Sequence, residues 1–193
     1  MALTSPARLL LVRHAPSREP GRLAGRLDVA AEPPPDPALA QARLEAWLPG
    51  RKRLISSPAL RCRQTAEALF PGVSITGESR LWEQDFGAWE GVEAASLPDL
   101  GRLSRAELAA HRPPGGESFL DVCRRAAPAL EEIAADGPAI IITHAGVIRA
   151  ALGLALEDAA QGLAFEIAPL SATLLTVSGG AWSIGFVNFA LAP

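Results

Sequence analysis

The stretch Leu-Leu-Leu-Val-Arg-His at residues 9–14 decides the fold of this chain. It includes the end of a short apolar run over Ala7–Val12, and such a run predicts a strand buried on both faces, as in a parallel sheet. The strand stops at Arg13 and His14, a cation beside an imidazole. Open α/β sheets bind ligands outside the carboxyl ends of their strands, so this pair is a candidate functional site.

Two further junctions place polar side chains near strand ends. Arg53–Ser56 reads as a second strand, and the helix that follows, which we expect Ser57 to cap, carries Arg61. Ala139–Thr143, with the sequence AIIIT, is the clearest buried strand of the chain and stops at His144. Three strand-to-helix junctions therefore each deliver a residue that can bind or react.

The rest of the chain alternates predicted helices and strands. The further predicted elements are a loop over 17–37, a helix over Ala38–Leu48, a weak strand over Val73–Ile75, a long helix over Glu117–Ala135 interrupted by Pro128, and a terminal hairpin of Ala172–Val177 and Trp182–Phe189. This order predicts an α/β fold, a three-layer α/β/α sandwich with a mostly parallel sheet and antiparallel edge strands. We expect residues 1–193 to form one domain with a polar, cap-like insertion at about 92–116.

Composition limits the classes of partner. The 193-residue chain is 49% hydrophobic and has a formal net charge of −3. That balance argues against nucleic acid or an anionic membrane as a partner, so an anion site must be a local cluster of arginines. The richest apolar stretch, Ala139–Leu156, includes His144 and Arg149, which would be costly in lipid, so we predict no membrane span.

The expected location is the cytoplasm. Cys62 and Cys123 lie far apart without CxxC spacing, which indicates reduced thiols. Met1–Thr4 show no basic segment ahead of a long apolar core, so we predict no signal peptide.

The residue types at the three junctions suit phosphoryl transfer through a protein nucleophile. A phosphate dianion needs fixed positive charge, and guanidinium groups bind its oxygens in a bidentate manner. A neutral imidazole is a competent nucleophile near pH 7. A leaving alkoxide needs a proton, which a carboxylic acid can donate. Glu83, Asp85, Glu90 and Glu93 are the nearby carboxylates along the chain.

Four ordered blocks carry a resemblance to a known family. LLVRHA, SSPALRCRQTA, LWEQDFGAWEG and THAGVIR resemble the motifs of the histidine phosphatase superfamily, also called phosphoglycerate mutase-like. The resemblance implies that His14 is the nucleophile and becomes phosphohistidine, that Arg13, Arg61 and His144 hold the phosphoryl oxygens, and that Glu83 is the proton donor. Ser17 and Ala145 complete the substrate-binding set. No cofactor and no metal are expected, because arginines supply the positive charge.

The chain departs from the family pattern in the residue after the nucleophile. Ala15 stands where most members have glycine, and a positive φ there would strain an alanine. Arg22 and Arg26, in the 17–37 loop, are expected to be solvated, with contact to a second anionic group of the substrate as the alternative. Trp82 and Trp89, on either side of Glu83 in the sequence, could desolvate it or belong to the core.

The resemblance favours a phosphatase acting on a small phosphorylated metabolite. The chain is short for a mutase, which must shield its phosphoenzyme from water. The FGAWEG and PPGGES segments resemble those of alpha-ribazole phosphatases, so alpha-ribazole phosphate in cobalamin biosynthesis is a candidate substrate. Phosphoglycerate mutase-type transfer and a non-catalytic phosphoryl-ligand binding role stay open as alternatives. Pairing of the final hairpin between subunits, giving a homodimer, is also left open.

Overall fold

A computed structural model describes residues 6–50 and 52–191 of the chain. Met1–Thr4, on which the signal-peptide prediction depended, lie outside the described residues. In chain order the strands and α-helices are β1 Ala7–Arg13, α1 Pro37–Trp47, β2 Arg53–Ser56, α2 Leu60–Leu69, β3 Ile75–Gly77, α3 Arg105–Ala110, α4 Phe119–Ala135, β4 Ala139–Thr143, α5 Ala145–Ala155, β5 Ser171–Ser178 and β6 Ala181–Ala190. Short 3₁₀ helices lie at Ser79–Leu81, Gly87–Trp89, Ala94–Ser96 and Ala159–Ala164.

The six strands form one sheet in the order β3-β2-β4-β1-β5-β6. Strands β3, β2, β4 and β1 run parallel, whereas β5 and β6 are antiparallel and form one edge. The two apolar runs of the sequence, β1 and β4, occupy the middle, where both faces of a strand are covered. The predicted fold class is confirmed.

Alternate residues of β1 enter two separate cores. Leu9 and Leu11 pack with side chains of α4 and α5, whereas Leu10 and Val12 pack with side chains of α1 and α2. All four are fully buried. The period of two along a strand thus divides its side chains between the helical layers on either side of the sheet, which gives the three-layer sandwich.

Three predicted elements begin two residues away from their starts in the structure, whereas the first helix and the hairpin strands differ by one residue. Helix α2 begins at Leu60 with Ala59 as its N-cap, so the prediction that Ser57 caps this helix is wrong. The third strand is Ile75–Gly77, because pairing with β2 starts at Ile75 and Val73 is exposed. Helix α4 starts after Ser118, which caps it, and continues through Pro128.

The segment over 92–116 contains a 3₁₀ turn and the short helix α3. Helix α3 packs against α4 and against Ala159–Ala164. Its role as a cap stays a prediction, as does a dimer formed through the β6 edge. No helix in the described part of the chain is long and apolar enough to cross a membrane.

Candidate active site

A cavity of about 280 Å³ opens at the carboxyl ends of β1 and β4. Its volume lies near the lower end of the range for small-molecule sites, roughly 300–1,000 Å³. Six of the seven predicted site residues line it, namely Arg13, His14, Ser17, Arg61, Glu83 and Ala145. The seventh, His144, is fully buried beside it, with its ring centre 5.2 Å from that of His14. The sheet topology thus brings together residues separated by up to 132 positions in the sequence.

His14 is a neutral imidazole with a defined tautomer. Its Nδ1 lies 2.7 Å from the carbonyl oxygen of Ala15. Because a carbonyl only accepts, Nδ1 carries the proton and Nε2 keeps its lone pair. Burial, followed by the charges of Arg61 and Arg13, lowers the pKa of His14 to about 3. A nucleophilic nitrogen is therefore present throughout the physiological pH range.

Ala15 fits its position without strain. Its φ is not positive, and its side chain is fully buried in a small cluster with Ala31 and Leu170. Its N–H donates to Thr65 Oγ1 at 3.0 Å. Ala15 is therefore free of the backbone strain that a positive φ would impose on alanine. The methyl group that glycine would lack instead packs against the loop over 17–37.

His144 is also neutral and is held by a serine hydroxyl. Its Nε2 lies 2.8 Å from Ser57 Oγ, which explains why Ser57 does not cap α2. Burial and then the charge of Arg61 lower the pKa of His144 well below its usual value. Its ring is nearly parallel to Trp82, with 6.3 Å between the ring centres. His144 therefore offers the site a hydrogen-bonding ring rather than another charge.

Two arginines, the buried Arg61 and the half-buried Arg13, supply positive charge that no carboxylate of the described chain neutralises. Within the described chain, neither Arg13 nor Arg61 has a carboxylate oxygen within 4.0 Å. Arg61 donates to the main-chain oxygens of Leu27 at 2.9 Å and Gly25 at 2.7 Å, and Arg13 donates to that of Ile167. Burial lowers the pKa of Arg13. Both guanidinium groups are thus fixed in place and available to an oxyanion.

Glu83 occupies the cavity at the start of α5. Its carboxylate accepts from the N–H of Gln84 at 3.0 Å and from the N–H of Gly146 at 3.3 Å. A Cβ atom at position 146 would lie 2.2 Å from Glu83 Oε1, so this approach requires glycine there. The third residue of the HAG triplet thereby sets the place of the carboxyl group.

The other three nearby carboxylates form hydrogen bonds or an ion pair with other groups. Asp85 accepts from the N–H of Gly87 at 2.8 Å, and Glu90 accepts from the N–H of Arg26 at 2.7 Å. Glu93 is paired with Arg22. Of the acidic residues in the described ranges, Glu83 alone lines the cavity.

Ser17 and Ala145 contribute polar groups at the cavity wall. Ser17 Oγ accepts from the N–H of Glu19 at 3.1 Å, and its own proton stays available. Ala145 is the first residue of the 11-residue helix α5. The N-terminus of such a helix favours an anion through its unpaired N–H groups and its dipole.

A network of long-range contacts, which no sequence pattern indicated, holds the Glu83 segment. Arg125 forms a two-point contact with the carboxylate of Glu117, at 3.0 Å for each nitrogen, and donates to the main-chain oxygens of Trp82 at 2.7 Å and Glu83 at 2.9 Å. Arg26 joins it through Glu117 and Glu83. Although burial opposes ionisation, Arg125 lowers the pKa of Glu117. These contacts fix the backbone that carries the carboxyl group.

The 17–37 loop is fastened to the start of α2. Asp28 accepts from the N–H of Leu60 at 2.6 Å, and Gln64 accepts from the N–H of Ala31 at 2.8 Å. Arg22 is exposed, as expected for a residue of a solvated loop, whereas Arg26 is half-buried, so the expectation that it is solvated is wrong. Both bridge this loop to the segments that follow β3, through Glu93 and Glu117 respectively.

A neutral imidazole, two unpaired guanidinium groups and one carboxyl group at the edge of an α/β sheet define a site suited to phosphoryl transfer. Comparison with known proteins identifies the family. The model of the histidine phosphatase superfamily, branch 1, matches residues 9–190. The chain belongs to this superfamily.

Named relatives and solved structures agree with that assignment. The chain is 33% identical over 208 residues to the bifunctional protein Rv2228c of Mycobacterium tuberculosis, covering 95% of this chain but 54% of that protein. It thus spans about half the length of that relative. It is 30% identical over 170 residues to the glucosyl-3-phosphoglycerate phosphatase of the same organism, covering 77% of this chain and 74% of that one.

Two solved structures illustrate the likeness in fold. The native structure of the mycobacterial glucosyl-3-phosphoglycerate phosphatase Rv2419c superposes with a TM-score of 0.81 at 26% identity, covering 96% of this chain and 100% of that one. The crystal structure of TTHB049 from Thermus thermophilus gives a TM-score of 0.71 at 32% identity, covering 95% and 99%.

Proposed function

We propose that this chain hydrolyses phosphomonoesters through a phosphohistidine intermediate on His14, without a metal ion. One observation carries the proposal: a neutral His14 with a free Nε2 shares a cavity with two unneutralised arginines and one carboxyl group. The arginines take the place that a divalent cation has in other phosphoryl-transfer sites.

In the first half-reaction, Nε2 of His14 attacks the phosphorus atom and the bond to the ester oxygen breaks. Arg13, Arg61 and His144 hold the phosphoryl oxygens as negative charge redistributes over them. Protonated Glu83 transfers its proton to the departing alkoxide, which leaves as a neutral alcohol. The products are phospho-His14, the alcohol and the Glu83 carboxylate.

In the second half-reaction, the Glu83 carboxylate removes a proton from water, and the resulting nucleophile attacks phospho-His14. The phosphorus–nitrogen bond breaks, inorganic phosphate leaves, and His14 is again neutral with Nε2 free. Glu83 is again protonated, so one carboxyl group serves both steps. Removing one positioned donor from such a site costs roughly 10² to 10³ in rate.

Ser17 and the N–H of Ala145 are proposed to bind further oxygens of the same phosphoryl group. Both residues line the cavity, and the second lies at the start of a helix. Neutral donors of this kind add orientation without changing the charge of the site.

The proposed substrate is a small phosphorylated metabolite. The named phosphatases among the relatives above are glucosyl-3-phosphoglycerate phosphatases, and this name favours a phosphorylated three-carbon acid or its glycoside. It gives no support to alpha-ribazole phosphate, which belongs in the substrate panel as one arm. A cytoplasmic location and a homodimer stay predictions.

The test compares wild-type protein with His14→Asn and Glu83→Gln variants on a panel of phosphomonoesters in excess EDTA. We expect wild type to release phosphate at full rate in the chelator and both variants to lose at least about 10²-fold in kcat/KM. Loss of wild-type activity in EDTA would overturn the metal-free mechanism. Rapid isomerisation of 3-phosphoglycerate in the presence of a bisphosphate primer, without release of phosphate, would favour a mutase.

A further inference from the structure

Arg149 is one of four arginines that line the cavity, and the proposed reaction does not use it. We infer that Arg149 binds a second anionic group of the substrate, a carboxylate or a second phosphoryl group beside the ester that is cleaved. The inference rests on the proposed phosphomonoesterase function, since it concerns the substrate of the same cavity.

The contacts of Arg149 leave its terminal nitrogens available. This half-buried side chain extends from α5, and its Nε donates to the main-chain oxygen of Phe165 at 2.9 Å. Across residues 6–50 and 52–191, no carboxylate oxygen lies within 4.0 Å of it. Arg22, at the same cavity, is instead paired with Glu93 at 3.0 Å. With Nε anchored, the two Nη groups can form a two-point contact with an oxyanion.

Arg149 is anchored away from the strand ends that carry the nucleophile. It lies about one turn after Ala145 on α5, and its Nε contacts the main-chain oxygen of Phe165, beyond the end of that helix. Its charge acts on Arg13, whose pKa is lowered first by burial, against the effect of Glu83. Arg149 would therefore meet a different part of the substrate from the phosphoryl group that His14 attacks.

The charge balance of the cavity also calls for a second anion. Of the four arginines that line the cavity, Arg22 is paired with Glu93, and the other three share a single lining carboxyl group, that of Glu83, although the whole chain has a net charge of −3. A phosphate dianion balances two of the three cations when Glu83 carries the proton that it will donate. One positive charge remains, and a second oxyanion would neutralise it.

Apolar residues also line the cavity. Leu163 and Phe119 line it, and Leu163 belongs to the segment whose Phe165 carbonyl anchors Arg149. A short carbon skeleton between the two anionic groups would contact these side chains. The site therefore suits an anionic metabolite of a few carbons rather than a neutral alcohol phosphate.

The experiment measures kcat/KM for two matched pairs of substrates. In one pair, D-3-phosphoglycerate is compared with sn-glycerol 1-phosphate, which has the same arrangement at carbon 2 and a hydroxymethyl group in place of the carboxylate. In the other, propane-1,3-diol bisphosphate is compared with its monophosphate. We expect wild type to prefer the acidic member of at least one pair by about tenfold or more, and the responding pair tells carboxylate from phosphoryl.

Arg149→Met keeps the apolar stem and removes the guanidinium. We expect it to lower kcat/KM for the preferred acidic member by about 10- to 100-fold and to change the neutral member by less than about threefold. Arg149→Lys keeps the charge but loses the planar fork. Its kcat/KM for the acidic member should lie between the values for wild type and Arg149→Met. Arg149→Lys also tests the inference if Arg149→Met does not fold.

Arg105→Met is the matched control. Arg105 also ties the 159–165 segment, through Gln161 Oε1, but it does not line the cavity. We expect the control to leave the preference for the acidic member unchanged. Equal loss on both members in Arg149→Met, or loss of preference in Arg105→Met as well, would show that Arg149 is only structural and overturn the inference.

The two proposals fail in different ways. If wild type hydrolyses both pairs without preference, the second-anion site is refuted and the phosphatase proposal stands. If it hydrolyses neither and forms no phosphohistidine, the proposed function is refuted. Calorimetry with 3-phosphoglycerate then decides the inference, because binding that Arg149→Met weakens about tenfold supports it and equal binding by the two proteins refutes it.

Discussion

Replacing Gly146 by alanine tests how the structure positions Glu83. The added Cβ would lie 2.2 Å from Glu83 Oε1 and 3.3 Å from its Cδ, whereas ordinary contact begins at 3.4 Å. The carboxyl group must therefore retreat by about 1.2 Å from its present position. A side-chain carboxylate can move by that distance without disturbing the backbone, so the substitution acts on the site rather than on the fold.

The expected cost follows from that displacement. Misplacing a catalytic group by about 1 Å lowers the rate by roughly 10²-fold, equivalent to about 2.7 kcal/mol in transition-state stabilisation. The free energy of unfolding should not fall, because alanine is favoured over glycine in a helix by up to about 1 kcal/mol. Gly146→Ala should thus separate activity from stability.

The assay compares two leaving groups. Proton donation matters for an alkyl phosphate, whose alkoxide is a poor leaving group, and matters little for p-nitrophenyl phosphate. The measured quantity is kcat/KM, which reports the steps up to formation of phospho-His14. We expect a loss of about 100-fold with the alkyl ester and less than about tenfold with the nitrophenyl ester.

Glu83→Gln is the control for this prediction. It should show the same contrast between esters, and the double variant should lose little more than either single variant, because both changes remove one function. Full activity of Gly146→Ala on alkyl phosphates would refute the proposed placement of Glu83. Equal losses on the two esters would refute its role as proton donor.

Three further predictions concern the histidines and the groups behind Glu83. His14 and His144 have depressed pKa values when folded and ordinary ones when unfolded, so the unfolded chain takes up protons as pH falls below about 6.5. Urea titrations should show a loss of about 2 kcal/mol per histidine between about pH 7.5 and pH 5, halved in His14→Asn; a pH-independent stability would contradict this. Ser57→Ala should lower kcat about 10- to 100-fold and shift the tautomer of His144 seen by ¹⁵N NMR, with Ser57→Thr largely restoring both; an unchanged spectrum would argue against positioning by Ser57. Arg125→Met should destabilise the fold by about 3–5 kcal/mol, because it leaves Glu117 without its main partner, and a loss under about 1 kcal/mol would contradict the network.

The sheet and the strand-end residues could be predicted because their signals are local. The apolar runs that became β1 and β4 are long enough to be read directly, and parallel strands necessarily bring their carboxyl ends to one edge. Arg13, His14 and His144 follow from that geometry alone. The assignment of Glu83 over its neighbours needed the family resemblance, since nothing in the local sequence separates four carboxylates within eleven residues.

The supporting contacts were not predictable because their partners are distant in sequence. Ser57 looks like a helix cap, and only the folded chain shows that its hydroxyl faces a ring 87 residues away. The contact of Arg26 with Glu117 spans 91 residues. The packing of Ala15 likewise depends on contacts with Ala31 and Leu170. No periodic pattern in the sequence connects these three positions.

Trapping the phosphoenzyme tests the central claim most directly. Wild-type protein is mixed with a ³²P-labelled phosphomonoester that it hydrolyses, quenched within milliseconds, and assayed for phosphate that is stable to alkali and labile to acid. We predict such label on wild type, located at His14 by peptide mapping, and none on His14→Asn. Absence of acid-labile label on wild type, together with undiminished hydrolysis by His14→Asn, would contradict the account.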